Sequence, residues 1–275
     1  MRRILIFIFS VMCIISSLSV CADDESRLAA TLMKVAGSHD TVLNLLEEIA
    51  INQVKETITL DDGGLSQTEK QIFLDQLKLD SIENKVIEHL RNTFDLAELE
   101  SLLSYYEQPL LKKMLELKQE HVKSRSDSTS KRFLISLMNN MPSPRQIKLM
   151  HELVDVAMEV EQKVFLSAVI TREKNKTPLE FYKKFGEEQA QRLDYYLESY
   201  KVNMINAIRP EMRLLYMRIY HSLQDEELER LIELLKDKNR MKYQAAFVDA
   251  VANVLSEGVK AGIWAILQHR EKRAS

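Results

Sequence analysis

Apolar residues return at intervals of three and four along most of the chain. Leu99, Leu102, Tyr106, Leu110 and Met114 form the clearest series, and that spacing places all five on one face of an α-helix. Ser66-x-x-Glu69, Asp80-x-x-Glu83, Asp95-x-x-Glu98 and Ser143-x-x-Gln146 read as capping boxes or near variants. In each, the first side chain accepts from a backbone N–H and the fourth reaches back. Thr177-Pro178 predicts one more helix start, with proline at the first helical position, where its missing N–H costs nothing. Asp61-Asp62-Gly63-Gly64 reads as a turn and Gly37 as a helix C-cap. No stretch alternates apolar and polar residues for long enough to make a strand. The pattern predicts an all-α fold.

The first residues carry a different signal. Met1-Arg2-Arg3 is basic, Ile4 to Ile15 is apolar, and Val20-Cys21-Ala22 precedes the acidic Asp23-Asp24-Glu25. A basic start, an apolar run and small residues before a cut describe a secretory signal peptide, residues 1–22, cleaved after Ala22. The apolar run is shorter than the roughly 17–25 residues a membrane span requires. Leu18-Ser19-Val20-Cys21 offers a second reading, a lipoprotein signal with Cys21 lipidated, although Val20 stands where a small residue belongs. Both cysteines, Cys13 and Cys21, fall inside this segment, so the exported chain is expected to be cysteine-free. Its location is then periplasmic or secreted.

Lys123 to Lys131 contains no apolar residue, and Pro142-Ser143-Pro144 follows shortly after. These marks bracket a short helical piece, Arg132 to Met138. They predict two tandem helical units, residues 23–123 and 145–275, joined by a linker region at 124–144. The units also resemble each other. Phe94 to Leu103 can be laid over Leu223 to Ile232 at a constant offset, with the Glu-Leu-Glu cores in register. Leu102 then matches Leu231, Lys113 matches Lys242 and Thr93 matches Ser222. Upstream, Arg27 to Ala36 can be laid over Lys148 to Ala157 with a shifted offset. Duplication and chance similarity between amphipathic helices both account for this.

The run Phe94-x-x-x-Glu98-Leu99-x-x-Leu102-Leu103-x-x-Tyr106-x-x-Pro109 resembles the signature helix of an uncharacterised bacterial family, domain of unknown function two thousand and fifty-nine. The resemblance covers Lys85–Leu115 and, more weakly, Met212–Trp264. It implies an exported helical protein and brings no catalytic residue.

Composition narrows the function classes. In 275 residues, 45% are hydrophobic and only six are glycine, which excludes a disordered chain and disfavours hairpin-rich folds. A formal charge of −3 offers no footprint for nucleic acid. None of the six histidines (His39, His89, His121, His151, His221 and His269) sits in a zinc-binding motif. His221 and Asp225 can meet on a helix, but a lone pair of this kind is ordinarily a surface contact. No nucleophile elbow or phosphate loop is present. The sequence therefore names no catalytic, cofactor or metal residue.

The doublets Tyr105-Tyr106 and Tyr195-Tyr196 read as packing residues with one ring inward. From Ala245 to Ile266, small residues alternate with large apolar ones. That reads first as a central core helix, and otherwise as a homodimer seam or membrane-surface patch. Asp249 and Glu257 argue against insertion, and no transmembrane span is expected beyond the signal segment. The functional expectation is an exported interaction module that binds an envelope protein or peptide. The alternatives are a hydrolase with a dispersed Glu/Asp/Ser/His site and a membrane-surface factor.

Overall fold

The computed structural model describes residues 24–38, 65–77, 79–123, 135 and 141–274. The expected signal segment, the expected turn at 61–64 and most of the expected 124–144 linker lie outside the described residues. Every described element is an α-helix, which bears out the all-α expectation. In chain order these are α1 (24–35), α2 (Gln67–Leu74), α3 (Leu79–Thr93), α4 (Leu96–Tyr106), α5 (Pro109–Lys123), α6 (Pro144–Ala157), α7 (Glu159–Phe181), α8 (Glu187–Tyr220), α9 (Asp225–Leu235) and α10 (Lys238–Ala274).

The caps explain most boundaries. Ser66 and Asp95 each close a complete capping box, with Glu69 and Glu98 reaching back to the cap N–H. The Ser143 hydroxyl accepts from Gln146 N–H, whereas the Gln146 amide turns away to donate to the Leu223 carbonyl. Gly37 adopts φ 70°, as a C-cap requires.

Three local expectations are corrected. Asp80 lies within α3, which begins at Leu79, so it does not cap it. Pro178 does not start a helix. It sits inside α7, three residues before Phe181, where the helix is already ending and few backbone bonds remain to lose. The apolar series from Leu99 to Met114 is broken at Glu107–Gln108, and Pro109 opens a new helix there. Leu111 rather than Leu110 is therefore the fully buried residue of the next turn.

Two hydrophobic cores form. The first gathers Leu32, Val86, Leu90, Leu99 and Leu102 from α1, α3 and α4 around the inner face of α10, including Tyr243, Val251, Val259 and Ile266. The second gathers Leu153, Tyr220, Leu228 and Leu231 from α6, α8 and α9 around Leu111 and Met114 of α5. The last helix of each half thus packs into the other half's core, and α7 feeds both, with Val164 in one and Ile170 in the other. Both cores draw on residues from either side of the 124–144 region.

Helix α10 is the structural axis. Its small residues are filled from within the chain. A Cβ on Gly262 would come within 2.4 Å of the Phe73 ring, and one on Gly258 within 2.5 Å of the Leu77 side chain. The expectation of no membrane-spanning segment is corrected here. Lys238–Arg273 contains an 18-residue window of mean hydropathy 1.3, so by length and composition this helix can cross a membrane. Asp249 and Glu257, eight positions apart, do not break such a window. In the fold, 56% of that window is buried within the protein.

Candidate functional site

The corners where α4 meets α5 and α9 meets α10 stand face to face. Lys113 donates to Glu227 at 2.7 Å, and Lys242 pairs with Glu98 at 2.5 Å. The partners are exchanged between matched positions, since Glu98 and Glu227 occupy one register position and Lys113 and Lys242 another. At the centre, Tyr105 Oη donates to the Leu234 carbonyl at 2.6 Å, across a separation of 129 residues. Glu98 and Lys242 carry the same 129 offset to Glu227 and back to Lys113. Upstream, the left-handed residues Gly37 (φ 70°) and Met158 (φ 60°) each follow an alanine, Ala36 and Ala157, at the ends of matched segments.

A cleft of about 660 Å³ opens beside these corners, between the two cores. Its lining joins matched positions from both halves: Tyr106 with Leu235, Leu115 with Gln244, Lys118 with Phe247, and Gln119 with Val248. Leu166, Met114, Met212, Ala36 and Ala157 add apolar wall. Lys118, Lys123, Lys163 and Arg240 supply positive charge, against the single carboxylate of Glu159 among the described lining residues.

Arg240 is buried, at 4% exposure, and organises the floor. Its guanidinium donates to the carbonyls of Val156, Ala157 and Leu235, at 3.2, 3.1 and 2.9 Å. These are the last carbonyls of α6 and α9, which the helices themselves leave without partners and where a cation is favoured. Tyr106 lies beside it, and burial pushes its hydroxyl up to about 12 despite the nearby guanidinium.

At the other wall, Lys118 pairs with Glu159 and lies 5.8 Å from the centre of the Tyr216 ring. Tyr216 is buried, and its hydroxyl faces Glu159. Burial, and then the Glu159 charge beside it, raise its pKa well above the ordinary tyrosine value. The Gln244 side-chain oxygen is buried without a hydrogen-bond partner. Above it, Ser38 Oγ and Tyr243 Oη share a hydrogen bond of 3.0 Å.

Among the described residues that line the cleft, none is a histidine. His221 Nδ1 faces the Arg218 carbonyl at 2.9 Å, and Asp225 lies 3.6 Å from Arg145. The buried carboxylates Glu69 and Glu173 lie elsewhere. Glu69 binds Arg270 at 2.6 Å, and Glu173 accepts from Ser256 Oγ at 3.0 Å between α7 and α10. Among the described residues, no group of three or more His, Cys, Asp and Glu side chains is placed to hold a metal.

The tyrosine doublets diverge. Tyr106 is buried and Tyr105 half-buried, as expected, but Tyr195 and Tyr196 are both exposed on α8, Tyr195 at 79%. The first half of α8 offers few neighbours for either ring. Sequence reasoning missed Arg240, Lys118, Glu159 and Tyr216. The one available signal was Arg240, whose matched position in the first half is the buried Leu111.

Compared with protein-family models, curated proteins and solved structures, the chain matches none.

Proposed function

We propose that the chain is an exported, non-catalytic helical binding protein whose ligand sits in the cleft between the two cores. One observation carries the reading: a cleft of about 660 Å³, walled by apolar side chains from both cores, adjoins the buried Gln244 Oε1, which has no hydrogen-bond partner, and holds no catalytic constellation among the described residues. That volume is within the roughly 300–1,000 Å³ typical of small-molecule sites. Buried polar groups are ordinarily satisfied, so Gln244 Oε1 favours a bound group that completes it. Export rests on the basic and apolar start of the chain and on the resemblance of Phe94–Pro109 to the exported family.

The test is titration of the purified chain with an uncharged fluorescent probe, N-phenyl-1-naphthylamine. Saturable binding is expected, lost in Gln119→Trp and Val122→Trp, which add bulk at exposed lining positions. Binding that these variants leave unchanged would move the ligand seat elsewhere. Amino-terminal sequencing of the exported protein is expected to begin at Asp23, and Met1 in that fraction would remove the export reading.

The same reading takes the two halves as copies. The exchanged Lys–Glu pairs, the Tyr105–Leu234 contact and the exchanged last helices support it, since an isologous interface pairs residue i with j and j with i.

A further inference from the structure

We infer that the turn between α7 and α8, together with Trp264 of α10, seats the protein on an anionic phospholipid surface. None of the residues involved lines the cleft, so the inference stands apart from the binding reading above.

The turn has a fixed backbone. Tyr182 caps α7, Lys183 N–H donates to the Glu180 carbonyl at 3.0 Å, and Lys184 N–H donates to the Leu179 carbonyl at 2.7 Å. This is the Schellman close of a helix, whose left-handed residue is ordinarily glycine. Here it is Lys183, at φ 55°. A lysine thus stands where glycine would fold at lower cost.

Charge at the turn is left over for a partner. Lys183 and Lys184 are both exposed, and neither side chain joins an ion pair among the described residues. The carboxylates nearby are already answered. Glu180 is held by Lys176 at 3.2 Å and by Lys260 at 2.9 Å, and Glu188 pairs with Arg192 at 2.6 Å. Glu187 opens α8, where a negative charge meets the unpaired N–H groups of the first turn.

Beside the lysines the aromatic rings form a continuous row. Tyr182 packs edge-on against Phe181 at 5.1 Å, and Phe181 packs edge-on against Trp264 at 4.9 Å. Phe181 is half-buried, whereas Tyr182 is 47% exposed and Trp264 36%. Tyrosine and tryptophan, apolar in the ring and polar at one edge, are the residues of the membrane interface, and lysine reaches past them to phosphate. A shallow groove of about 430 Å³ runs beside Trp264 over the small side chains of Ala261 and Ala265. Its two charged residues, Glu257 and Lys260, are paired with Lys85 and Glu180, so the groove itself attracts no ion. It leaves room for an acyl chain next to the indole.

A protein partner fits less well. The exposed parts of two rings fall well short of the roughly 800 Å² that a stable protein interface takes from each side. A bilayer needs no such matched area, because each ring and each charge partitions separately.

The experiment reads Trp264, the only tryptophan of the chain, in the full chain mixed with vesicles. One set contains equal parts phosphatidylglycerol and phosphatidylcholine, the other phosphatidylcholine alone. A saturable blue shift is expected on the mixed vesicles, at least about tenfold weaker on the neutral ones and weakened by salt. Quenching is expected to be stronger from lipids brominated near the carbonyl end of the acyl chain than near its methyl end. Lys183→Gly with Lys184→Gln removes both charges, and glycine keeps the turn. This variant is expected to raise the lipid concentration for half the shift at least about tenfold, since each lysine near an anionic surface is worth about fivefold. Tyr182→Ser is expected to weaken the shift by a smaller factor, and Tyr195→Ser, on the exposed face of α8, to leave it unchanged.

The apolar start of the chain can itself hold vesicles, so binding without a change at Trp264 overturns the inference. So does a shift of equal strength on both vesicles, one that survives the lysine variant, or an equal loss in Tyr195→Ser, each of which moves the contact to another surface. Strongest quenching from the methyl end overturns it in favour of α10 crossing the bilayer. No interaction with either vesicle overturns it too, and leaves the cleft reading untouched.

Discussion

The α4–α5 corner and the α9–α10 corner begin alike and end differently. Each opens with a carboxylate that reaches back to its cap: Glu98 to the Asp95 N–H and Glu227 to the Gln224 N–H, both at 3.1 Å. Each buries two leucines at the same register, Leu99 and Leu102 against Leu228 and Leu231, all at most 1% exposed. Beyond the corner the helices part. The 15-residue α5 leaves Lys118, Gln119 and Lys123 toward the cleft, whereas the 37-residue α10 turns Tyr243, Phe247 and Val251 into the first core. Where two corners share caps and core leucines, the caps and leucines set the chain's path. The face that follows decides what each helix brings to the cleft they share, Lys118 and Gln119 from α5 and Phe247 and Val248 from α10.

The sharpest way to break this comparison is to truncate its matched leucines. Leu99→Ala and Leu228→Ala are each expected to cost about 2–5 kcal/mol in chemical denaturation, the usual range for a buried leucine. A large loss at one and none at the other would show that the corners are not equivalent supports. Glu100→Ala and Glu229→Ala are expected to leave the midpoint nearly unchanged, since both side chains lie on the outer face.

Methionine at the next matched pair separates packing from charge. Leu111→Met is expected to cost less than about 1.5 kcal/mol, because volume is nearly kept. Arg240→Met is expected to cost about 2–4 kcal/mol, since it strips donors from three buried carbonyls at the ends of two helices. Similar losses for the two variants would mean that Arg240 acts mainly as bulk.

The third test uses the part of α10 that α5 lacks. Burial alone would raise the Glu69 pKa, but hydrogen bonds from Arg270 and Ser66 and the Arg270 charge outweigh it, lowering the carboxyl from 4.5 to about 2. A carboxylate with a depressed folded pKa stabilises above its unfolded value and loses that contribution as the pH falls. Stability measured by denaturation is therefore expected to decline between about pH 5 and pH 2 through this group. Glu69→Gln is expected to cost about 1.5–3 kcal/mol at neutral pH, as for a lost hydrogen bond between charged partners, and to flatten that decline. A decline of unchanged size would assign it to other carboxylates.

A small effect is expected at the exchanged ion pairs. Replacing Glu98 and Lys242, or Glu227 and Lys113, by glutamine is expected to change stability less than the leucine-to-alanine, Arg240 and Glu69 variants do, because all four side chains are partly solvated. The two double-mutant cycles are expected to agree, and a coupling found at only one corner would break their equivalence.

Much of the fold was legible before the structure because its signals are local. Ser66, Asp95 and Ser143 announce helix starts within four residues, and Gly37 marks a helix end. The errors share a cause as well. Pro178 was read as a start by its local grammar, but α7 continues past it to Phe181, whose ring packs on Trp264 and the first core. The Leu99–Met114 series hid a corner because a proline can open a new helix without interrupting the apolar spacing. The apolar length of α10 was underread because two carboxylates were given more weight than the continuous window around them.

What the sequence determined by itself was the helical class, most caps, and the inward leucines of the two Glu-Leu-Glu helices. Each depends on hydrogen bonds and periodicity that close within one or two turns. Only the tertiary structure decided that α5 and α10 change places between the cores, and that their matched faces meet around one cleft. Lys118 and Glu159 lie 41 positions apart, and Arg240 lies 83 from the Ala157 carbonyl it binds. A charge or a hydroxyl at such separations carries no periodic mark. Its partner, or its lack of one, is set by which helices the hydrophobic cores bring together.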